Sequence, residues 1–346
     1  MQKKLLKTGK NIFPSNLKID RKFNIGVVGS GKMAQHYMEI VKSFNHNVGA
    51  IISLSKNPKA KKLANKYNSV LYYNYKDAKK SKKKIDAWII CSKWEELSFA
   101  LKTFINFNTP ILIEKSITIN SGNLSKFFKK NKNNKSKVFF GYNRNYFDYI
   151  FFLINKIKTN NSLKYIDAKF YDPYSKIIKS KGKFIKKYLP YYITSHWIVL
   201  ILKIFNLLNI KVLKIDKKKL FINNQFNSIE LLFKLKIKNR IIFSRILSAP
   251  DVPKNHTIDF YLKNGHIKIS PIEKLAIYNN LDIKKKKSQN TYVPNARFLK
   301  VNNKFKPGLR FLYYAFIKES FFNEKSLLKT NHKDLINAYK ICELLD

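Results

Sequence analysis

A glycine-rich hexad near the start of the chain has the spacing of a phosphate-binding turn. Its sequence, Gly-Ser-Gly-Lys-Met-Ala, begins at Gly29 and ends at Ala34. The first glycine of such a hexad permits a tight turn, the second lets the backbone approach a pyrophosphate, and the alanine lets a helix pack near a strand. Free N–H groups at the helix N-terminus then attract phosphate. The hexad predicts dinucleotide binding by Gly29, Ser30, Gly31, Lys32 and Met33. A turn that only packs a helix on a sheet is the alternative.

Two other groups of polar residues interrupt apolar segments. Glu114 and Lys115 directly follow the apolar run 110–113, and His196 lies within the apolar segment 191–210. A lysine beside a reacting hydroxyl stabilises negative charge as it develops. A histidine titrates near neutral pH and exchanges protons with such a hydroxyl. For His196 the alternative is a core histidine whose hydrogen bonds are satisfied within an apolar helix.

The elements that must position these residues alternate between strand and helix patterns, and Asn57 followed by Pro58 predicts the start of a helix. The expected strands span residues 23–29, 48–52, 70–73, 86–92, 110–116 and 137–143. They are apolar throughout, which is typical of a parallel sheet covered on both faces. The ends of parallel strands line the ligand crevice of such a sheet. We therefore expect Cys91, Ser92, Glu114 and Lys115 beside the cofactor, with Cys91 as a packing residue rather than a nucleophile.

The pattern changes near residue 150. A helix over residues 151–158 and the apolar helix around His196 precede long strand-like runs, and Asn264-Gly265-His266 is typical of a tight hairpin turn. These runs predict a largely antiparallel sheet, followed by a C-terminal helix. We expect an α/β protein with an N-terminal extension (1–22), a Rossmann-type doubly wound parallel domain (23–141) and an α+β domain (142–346).

The segment after the second strand bears on the choice of cofactor. An NAD site normally has an acidic residue there, which binds the ribose 2′-hydroxyl. This chain instead has Ser53, Ser55 and Lys56. Hydroxyls and a cation suit a 2′-phosphate, so we expect NADP in preference to NAD, with NAD remaining open. The alternative for Lys56 is that it is one of many solvated lysines.

The net charge of +48 raises the question of nucleic-acid binding. Only six of the basic residues are arginines, and the lysines are spread along the whole chain. We therefore expect no specific nucleic-acid partner, although a basic nucleic-acid-binding protein remains a third hypothesis. The uninterrupted apolar run 197–202 is too short to span ~30 Å of hydrocarbon. Two cysteines and no apolar secretory segment favour the cytoplasm, and the histidines and cysteines lack metal-ligand spacing.

The order of these motifs resembles the Gfo/Idh/MocA oxidoreductases, the relatives of glucose–fructose oxidoreductase and inositol dehydrogenase. The family's Glu-Lys-Pro corresponds to Glu114-Lys115-Ser116. Four further segments occur in the family's order: GYNRNYF (141–147), SHWIVLILKIF (195–205), ISPIEKLAIY (269–278) and FKPGLRFLYYAF (305–316). The last two resemble members linked to surface-polysaccharide sugars. The resemblance covers residues 23–346.

The resemblance implies an NAD(P)-dependent enzyme that transfers a hydride between a nicotinamide and a hydroxyl or ketone of a sugar or nucleotide sugar. Lys115 then lies near the nicotinamide and the substrate hydroxyl, and His196 is the general acid/base. Asn143 and Arg144 are expected to bind substrate, although Arg144 in a structural salt bridge is equally open. Family members assemble through the open face of the second sheet, which implies a homo-oligomer, either a dimer or a tetramer.

Departures from the family pattern keep a further hypothesis open. Many members carry an aspartate four residues before the histidine, where this chain has Tyr192, and another acid three residues after it, where this chain has Val199. This spacing predicts that Tyr192 and His196 share one helix face, with Lys115 across the cleft. Tyr192 then donates a hydrogen bond or relays a proton with Lys115; the alternative is that it is a packing residue. Because Ser116 also replaces the family's proline, a catalytically degenerate dinucleotide-binding protein is the alternative to an active enzyme.

Overall fold

The computed structural model describes residues 17–107, 109–115, 117–118, 120–131, 138–160, 163–222, 225–271, 273–286, 289–300 and 304–345. Most of the expected N-terminal extension, residues 1–16, and Ser116 lie outside this part of the chain. The chain divides into two compact units. We call residues 13–146 with 303–343 the N-terminal unit, and residues 147–302 with 344–346 the central unit.

The N-terminal unit contains a six-stranded parallel sheet. Its strands are β1 Asn24–Val28, β2 Asn47–Ile52, β3 Val70–Tyr72, β4 Ala87–Ile90, β5 Ile111–Ile113 and β6 Val138–Phe140. The order across the sheet is β3-β2-β1-β4-β5-β6. Every residue of β4, β5 and β6 is buried, as the unbroken apolar runs predict. The strand order reverses between β1 and β4, which is where sheets of this type bind ligands.

Helices connect these strands as the periodicity predicts. They span Lys32–Ser43, Pro58–Tyr67, Tyr75–Lys80, Trp94–Phe104 and Ser121–Lys130. Pro58 is the first residue of the second helix, and the Asn57 side chain accepts the backbone N–H of Ala60. Asn57 thereby satisfies one of the donors that the first turn leaves open, so the predicted start signal is confirmed.

The last two helices, Leu309–Phe322 and His332–Leu344, belong largely to the N-terminal unit. The division therefore differs from the expected single domain over 142–346, and the observed boundary falls after residue 146 rather than 141. Aromatic packing gives the physical reason. Phe321 stacks on Phe23 with ring centroids 4.3 Å apart, and Phe316 meets Phe139 at 5.7 Å.

The central unit contains an eight-stranded sheet. Its strands are β7 Leu163–Phe170, β8 Ile210–Ile222, β9 Gln225–Ile237, β10 Arg240–Ser248, β11 Thr257–Leu262, β12 Gly265–Ile269, β13 Lys274–Lys286 and β14 Gln289–Lys300. All neighbouring strands are antiparallel except β7 and β10. Leu262 pairs with Gly265 in the predicted hairpin. The expected α/β architecture, with a parallel and a largely antiparallel sheet, is confirmed.

The two faces of this second sheet differ in polarity. On β7, Ile166, Ala168 and Phe170 are buried, and Trp197 of the helix Ser195–Leu207 stacks on Phe170 at 5.4 Å. The alternate residues of β7 point to the opposite side, which we call the open face. There Asp167 accepts two hydrogen bonds from Arg245 at 2.8 and 2.9 Å. The apolar helix around His196 thus packs on one side of the sheet only.

Membrane-spanning helices and metal-binding clusters are two features that bear on function, and neither occurs among the described residues. None of the helices found there combines the length and apolarity that a membrane span requires. Within the same residues, no three histidine, cysteine or acidic side chains are grouped so that they could hold a metal ion.

His46 makes stability depend on pH. Its side chain is fully buried, and Nδ1 lies 2.6 Å from the Tyr313 hydroxyl. Burial lowers the pKa of His46 from 6.5 to about 4. Between these two values the unfolded chain binds a proton that the folded chain does not, so the free energy of unfolding falls as the pH is lowered. We expect this group to cost roughly 3 kcal/mol by pH 4.

Urea unfolding at several pH values, for the wild type and a His46→Gln variant, checks this expectation. The variant lacks the titrating ring, so its unfolding free energy falls less steeply between about pH 6.5 and 4. Equal slopes for the two proteins would show that His46 does not carry the dependence.

Candidate functional site

The predicted phosphate turn lies at the carboxyl end of β1. Gly29 has φ of 112°, in the region that favours glycine. Its N–H donates to the carbonyl of Ile52 at 2.8 Å. A Cβ at Gly29 would lie 2.7 Å from the carbonyl oxygen of Cys91. Strands β2 and β4 therefore hold the turn from both sides, and the first position of the hexad requires glycine.

The helix Lys32–Ser43 begins directly after this turn, with Gly31 as its N-cap. No side chain caps its first turn, and no acidic residue lies there. A Cβ at Gly31 would meet no atom within 4 Å, whereas Ala34 is completely buried. Open space in front of uncapped N–H groups is the arrangement that accepts a pyrophosphate, so the residues present fit a dinucleotide.

Hydroxyl groups occupy the position where an NAD site has an acid. Ser53 is 3% exposed and donates to the carbonyl of Ser55 at 2.9 Å. Its Oγ also lies 3.3 Å from Oγ of Ser30 in the glycine turn. The amide of Asn57 donates to Oγ of Ser55 at 2.7 Å, and Lys56 is exposed. Residues 53–57 contain no carboxylate.

Cys91 and Ser92 follow β4 at the same edge of the sheet. The N–H of Cys91 donates to the carbonyl of Val28 at 2.8 Å. Burial and the nearby Glu114 carboxylate raise the pKa of the Cys91 thiol well above its ordinary value, which suits the expected packing role. Oγ of Ser92 is buried and has no hydrogen-bond partner among the described residues. Buried polar atoms normally have a hydrogen-bond partner, so this hydroxyl beside the ligand crevice fits a polar group of a bound ligand.

Glu114, at the end of β5, contacts the helix that starts at the glycine turn. The Tyr37 hydroxyl donates to Oε1 of Glu114 at 2.8 Å. Burial and the carboxylate raise the pKa of Tyr37, so its hydroxyl remains a donor. Glu114 thus ties this helix to the end of β5, a contact that its position in the sequence did not reveal. Lys115 follows it and is partly exposed.

A segment from near the C-terminus lies against the same edge. Nδ2 of Asn143 donates to the carbonyl of Pro307 at 2.7 Å. Nζ of Lys306 lies 2.8 Å from Sδ of Met33, and the charges of Glu114 and Arg144 act on Lys306. Within the N-terminal unit, the structure thus brings the predicted cofactor and substrate residues to one edge. Lys306 is one of 69 lysines and arginines in the chain, and no signal in the sequence singles it out.

The predicted acid/base, His196, belongs to the central unit. It is 7% exposed and is the second residue of the helix Ser195–Leu207. Tyr192, which is partly exposed, lies in a preceding π-helical turn, Pro190–Thr194. The expected shared face assumed a continuous α-helix, in which residues four apart align. A π-helical turn is wider, so this spacing alone does not align Tyr192 with His196.

A buried carboxylate that the sequence did not single out holds this turn. The Thr194 hydroxyl donates to Oδ2 of Asp172 at 2.6 Å, and the Tyr174 hydroxyl lies 2.6 Å from Thr194 Oγ1. Asp172 is 2% exposed, and its Oδ1 lies 3.7 Å from Nε2 of His256. These groups fix the backbone two residues before His196. Asp172 follows β7, Thr194 lies in the π-helical turn and His256 precedes β11, so no local spacing could bring these three together.

Two glycine substitutions separate stability from binding at the turn. In Gly31→Ser, a favoured N-cap residue enters open space, so we expect a melting temperature at or above that of the wild type. The new hydroxyl competes for the N–H groups that a pyrophosphate would use, so dinucleotide affinity falls by about tenfold or more. Gly29→Ala places a side chain against a carbonyl at positive φ and costs about 1–3 kcal/mol of stability.

Thermal unfolding and fluorescence titration with NADH and NADPH measure both effects. If the folded Gly31→Ser protein bound both dinucleotides as tightly as the wild type, the turn would not be the phosphate cradle.

Solved structures share this fold over nearly the whole chain. A UDP-N-acetylglucosamine 3-dehydrogenase from Acidithiobacillus ferrooxidans matches with a TM-score of 0.70 at 10% identity, covering 93% of this chain and 96% of that one. A myo-inositol 2-dehydrogenase from Lactobacillus plantarum matches with a TM-score of 0.69 at 14% identity and the same coverages. A scyllo-inositol dehydrogenase from Lactobacillus casei matches with a TM-score of 0.66 at 15% identity, covering 94% and 95%. At these identities the likeness shows the fold alone.

A family model adds evidence from the sequence itself. Residues 23–142 match the Gfo/Idh/MocA model, which is described as an oxidoreductase family with an NAD-binding Rossmann fold. No curated protein matches the chain. The matched residues contain β1 to β6 and the glycine turn, so the predicted resemblance is confirmed in the part of the chain that forms the parallel sheet. Residues 23–142 are therefore similar, in sequence and in fold, to the NAD-binding Rossmann domain of the Gfo/Idh/MocA oxidoreductases.

Proposed function

We propose that this chain is an NAD(P)-dependent dehydrogenase or reductase acting on a secondary hydroxyl or ketone of a sugar or nucleotide sugar. The observation that carries this proposal is the uncapped helix start behind Gly31, at the point where the parallel sheet reverses its strand order. Gly29, Ser30, Gly31, Lys32 and Met33 would hold the phosphates, and Ser92 offers a further polar contact. The bound nicotinamide accepts or supplies the hydride.

NADP suits the site better than NAD. The Ser30, Ser53 and Ser55 hydroxyls gather near the end of β2, and the exposed ammonium of Lys56 follows them. Hydroxyl donors and a cation complement a 2′-phosphate, whereas an NAD ribose would lack its usual carboxylate partner.

The chemistry falls to Lys115 and His196, which match the family pattern, and to Tyr192, which occupies the position where many members have an aspartate. Lys115, directly after Glu114 at the strand end, orients the substrate hydroxyl and stabilises an alkoxide through its ammonium. His196 takes the hydroxyl proton during oxidation and returns it during reduction. Tyr192 donates a hydrogen bond to the same substrate oxygen or relays its proton with Lys115. The Asp172–Thr194 contact keeps the backbone before His196 in place.

Asn143 and Arg144 would bind the substrate. The Asn143 amide nitrogen holds the Pro307 carbonyl, which leaves its side-chain oxygen to accept a substrate hydroxyl. The Arg144 guanidinium suits a phosphate or carboxylate of the substrate. A nucleotide sugar carries such phosphates, and the net charge of +48 attracts it.

A role in surface-glycan sugar metabolism is consistent with this substrate class. It is supported by the segments 269–278 and 305–316 and by the fold likeness to a UDP-N-acetylglucosamine dehydrogenase. Cys91 and Cys342 are not joined in a disulfide, which suits a reducing compartment, so the proposed location is the cytoplasm.

The open face of the second sheet would join two or more copies of the chain. Phe243, Tyr261 and Phe298 lie on this face with 54%, 41% and 51% of their surface exposed. Exposed aromatic residues around a paired Asp167 and Arg245 are typical of a protein–protein interface.

We expect Phe243→Asp to shift the protein toward monomer in sedimentation velocity, because it buries a charge at this interface. Phe99→Asp is the matched control, since Phe99 is 62% exposed on a helix of the N-terminal unit. A wild type that is monomeric at all concentrations, or an assembly that Phe243→Asp leaves intact, would exclude the open face as the interface.

Thermal shift with NAD, NADH, NADP and NADPH tests the cofactor proposal, because a ligand bound only by the folded state raises its melting temperature. We expect the largest shifts with the NADP pair. Sugars and nucleotide sugars are then screened through absorbance at roughly 340 nm, the reduced nicotinamide band.

The variants Lys115→Ala and His196→Ala should retain cofactor binding and lose turnover by about 10²-fold or more. Lys102→Ala and His36→Ala remove the same residue types from exposed or partly exposed positions without a proposed role. Cofactor binding without turnover of any sugar by the wild type would favour the degenerate alternative. Salt-sensitive nucleic-acid binding without cofactor affinity would favour the third hypothesis.

A further inference from the structure

Lys306 brings an ammonium to the glycine turn from the opposite end of the sequence. Its Nζ lies 2.8 Å from Sδ of Met33, the second residue of the helix Lys32–Ser43. An ammonium carries three hydrogen-bond donors, and a thioether is a weak acceptor. Within the part of the chain that the structure describes, this thioether is the only hydrogen-bond partner of the Lys306 ammonium. Two strong donors therefore remain for water or for a ligand.

The charges around Lys306 favour an anion. Glu114 attracts its ammonium, whereas Arg144 and Lys32 repel it. Surrounding protein atoms and these two cations lower the pKa of Lys306. Glu114, the one carboxylate that acts on Lys306, already accepts a hydrogen bond from the Tyr37 hydroxyl. Two cations and one engaged carboxylate thus act on Lys306, and an anionic ligand beside Lys306 would weaken the repulsion between it and the two cations.

The backbone around Lys306 is held at this edge. The carbonyl of Pro307 accepts the Asn143 amide at 2.7 Å. Gly308, with φ of 73°, is the N-cap of the helix Leu309–Phe322. Lys306 directly precedes this fixed carbonyl and helix start, so its backbone has fewer positions to sample than that of a solvated loop, and less entropy opposes its binding of a ligand.

We propose that Lys306 binds the pyrophosphate of the dinucleotide, opposite the N–H groups of the glycine turn. This inference rests on the proposed function. The residues that act on Lys306 follow β1, β4, β5 and β6, whereas the Ser53 hydroxyl cluster follows β2. Lys306 therefore acts on the phosphates common to both cofactors and not on the 2′-phosphate that distinguishes them.

The test compares dissociation constants of the full chain for NADH, NADPH, ADP-ribose and adenosine, measured by calorimetry. We expect Lys306→Ala to raise the dissociation constants of NADH, NADPH and ADP-ribose by a similar factor of about ten. The dissociation constant of adenosine, which has no phosphate, should not change. Lys306→Arg keeps the charge and recovers part of the affinity. Lys62→Ala, which removes a charge from an exposed position on the helix Pro58–Tyr67, is the control and should bind like the wild type.

Each other outcome overturns the inference. Unchanged affinities in Lys306→Ala, with a wild type that binds dinucleotide, would make Lys306 a surface lysine and leave the proposed function standing. A loss confined to NADPH would assign Lys306 to the 2′-phosphate instead. A wild type that binds none of the dinucleotides would overturn the proposed function together with the inference. Melting temperatures without ligand confirm that the variants compared are folded.

Discussion

The close approach of Gly29 to the carbonyl of Cys91 is the constraint on which the rest of the N-terminal unit depends. Only a residue without Cβ, at positive φ, permits this approach while its N–H donates to Ile52. The end of β1 is thereby fixed between β2 and β4. The following helix begins directly over the sheet edge, with open space in front of Gly31 and with Ala34 against the sheet. The Tyr37–Glu114 hydrogen bond then holds this helix to β5.

Carboxylates are scarce in this chain, and three that the structure describes make structural contacts. The sequence has 21 acidic residues against 69 basic ones. In the N-terminal unit, Glu114 accepts a hydrogen bond from Tyr37. In the central unit, Asp172 accepts one from Thr194, and Asp167 pairs with Arg245 on the open face. The proposed anionic cofactor or substrate would bring further negative charge to a chain that is strongly basic.

The parts of the fold that depend on local pattern could be predicted from the sequence. The unbroken apolar runs predicted the parallel strands, Asn57 and Pro58 predicted a helix start, and Asn264-Gly265 predicted a hairpin. The glycine turn could be predicted because Gly29 alone accounts for both of its requirements, a positive φ and a close approach to the Cys91 carbonyl, and only glycine meets both. Each of these signals lies within a few residues of the feature it predicts.

The features that could not be predicted depend on contacts between distant segments. The hydroxyl of Tyr37 reaches Glu114, 77 positions away, and the ammonium of Lys306 reaches Met33 across 273 positions. The packing of the last helices on the first sheet depends on pairs such as Phe23 and Phe321. The turn that contains Tyr192 is π-helical and is held by Asp172 from another element, a feature that α-helical spacing does not indicate.

A specific dinucleotide site at the glycine turn differs from a generally basic surface in how its binding responds to salt, because added salt screens non-specific attraction. Calorimetric titration of the unmodified chain with NADPH and NADH, at about 0.15 M salt and again at about 0.5 M, distinguishes the two. A specific site predicts saturable binding of one dinucleotide per chain at both salt concentrations, with a lower dissociation constant for NADPH than for NADH. Heats that do not saturate, or binding that disappears at the higher salt, would contradict it.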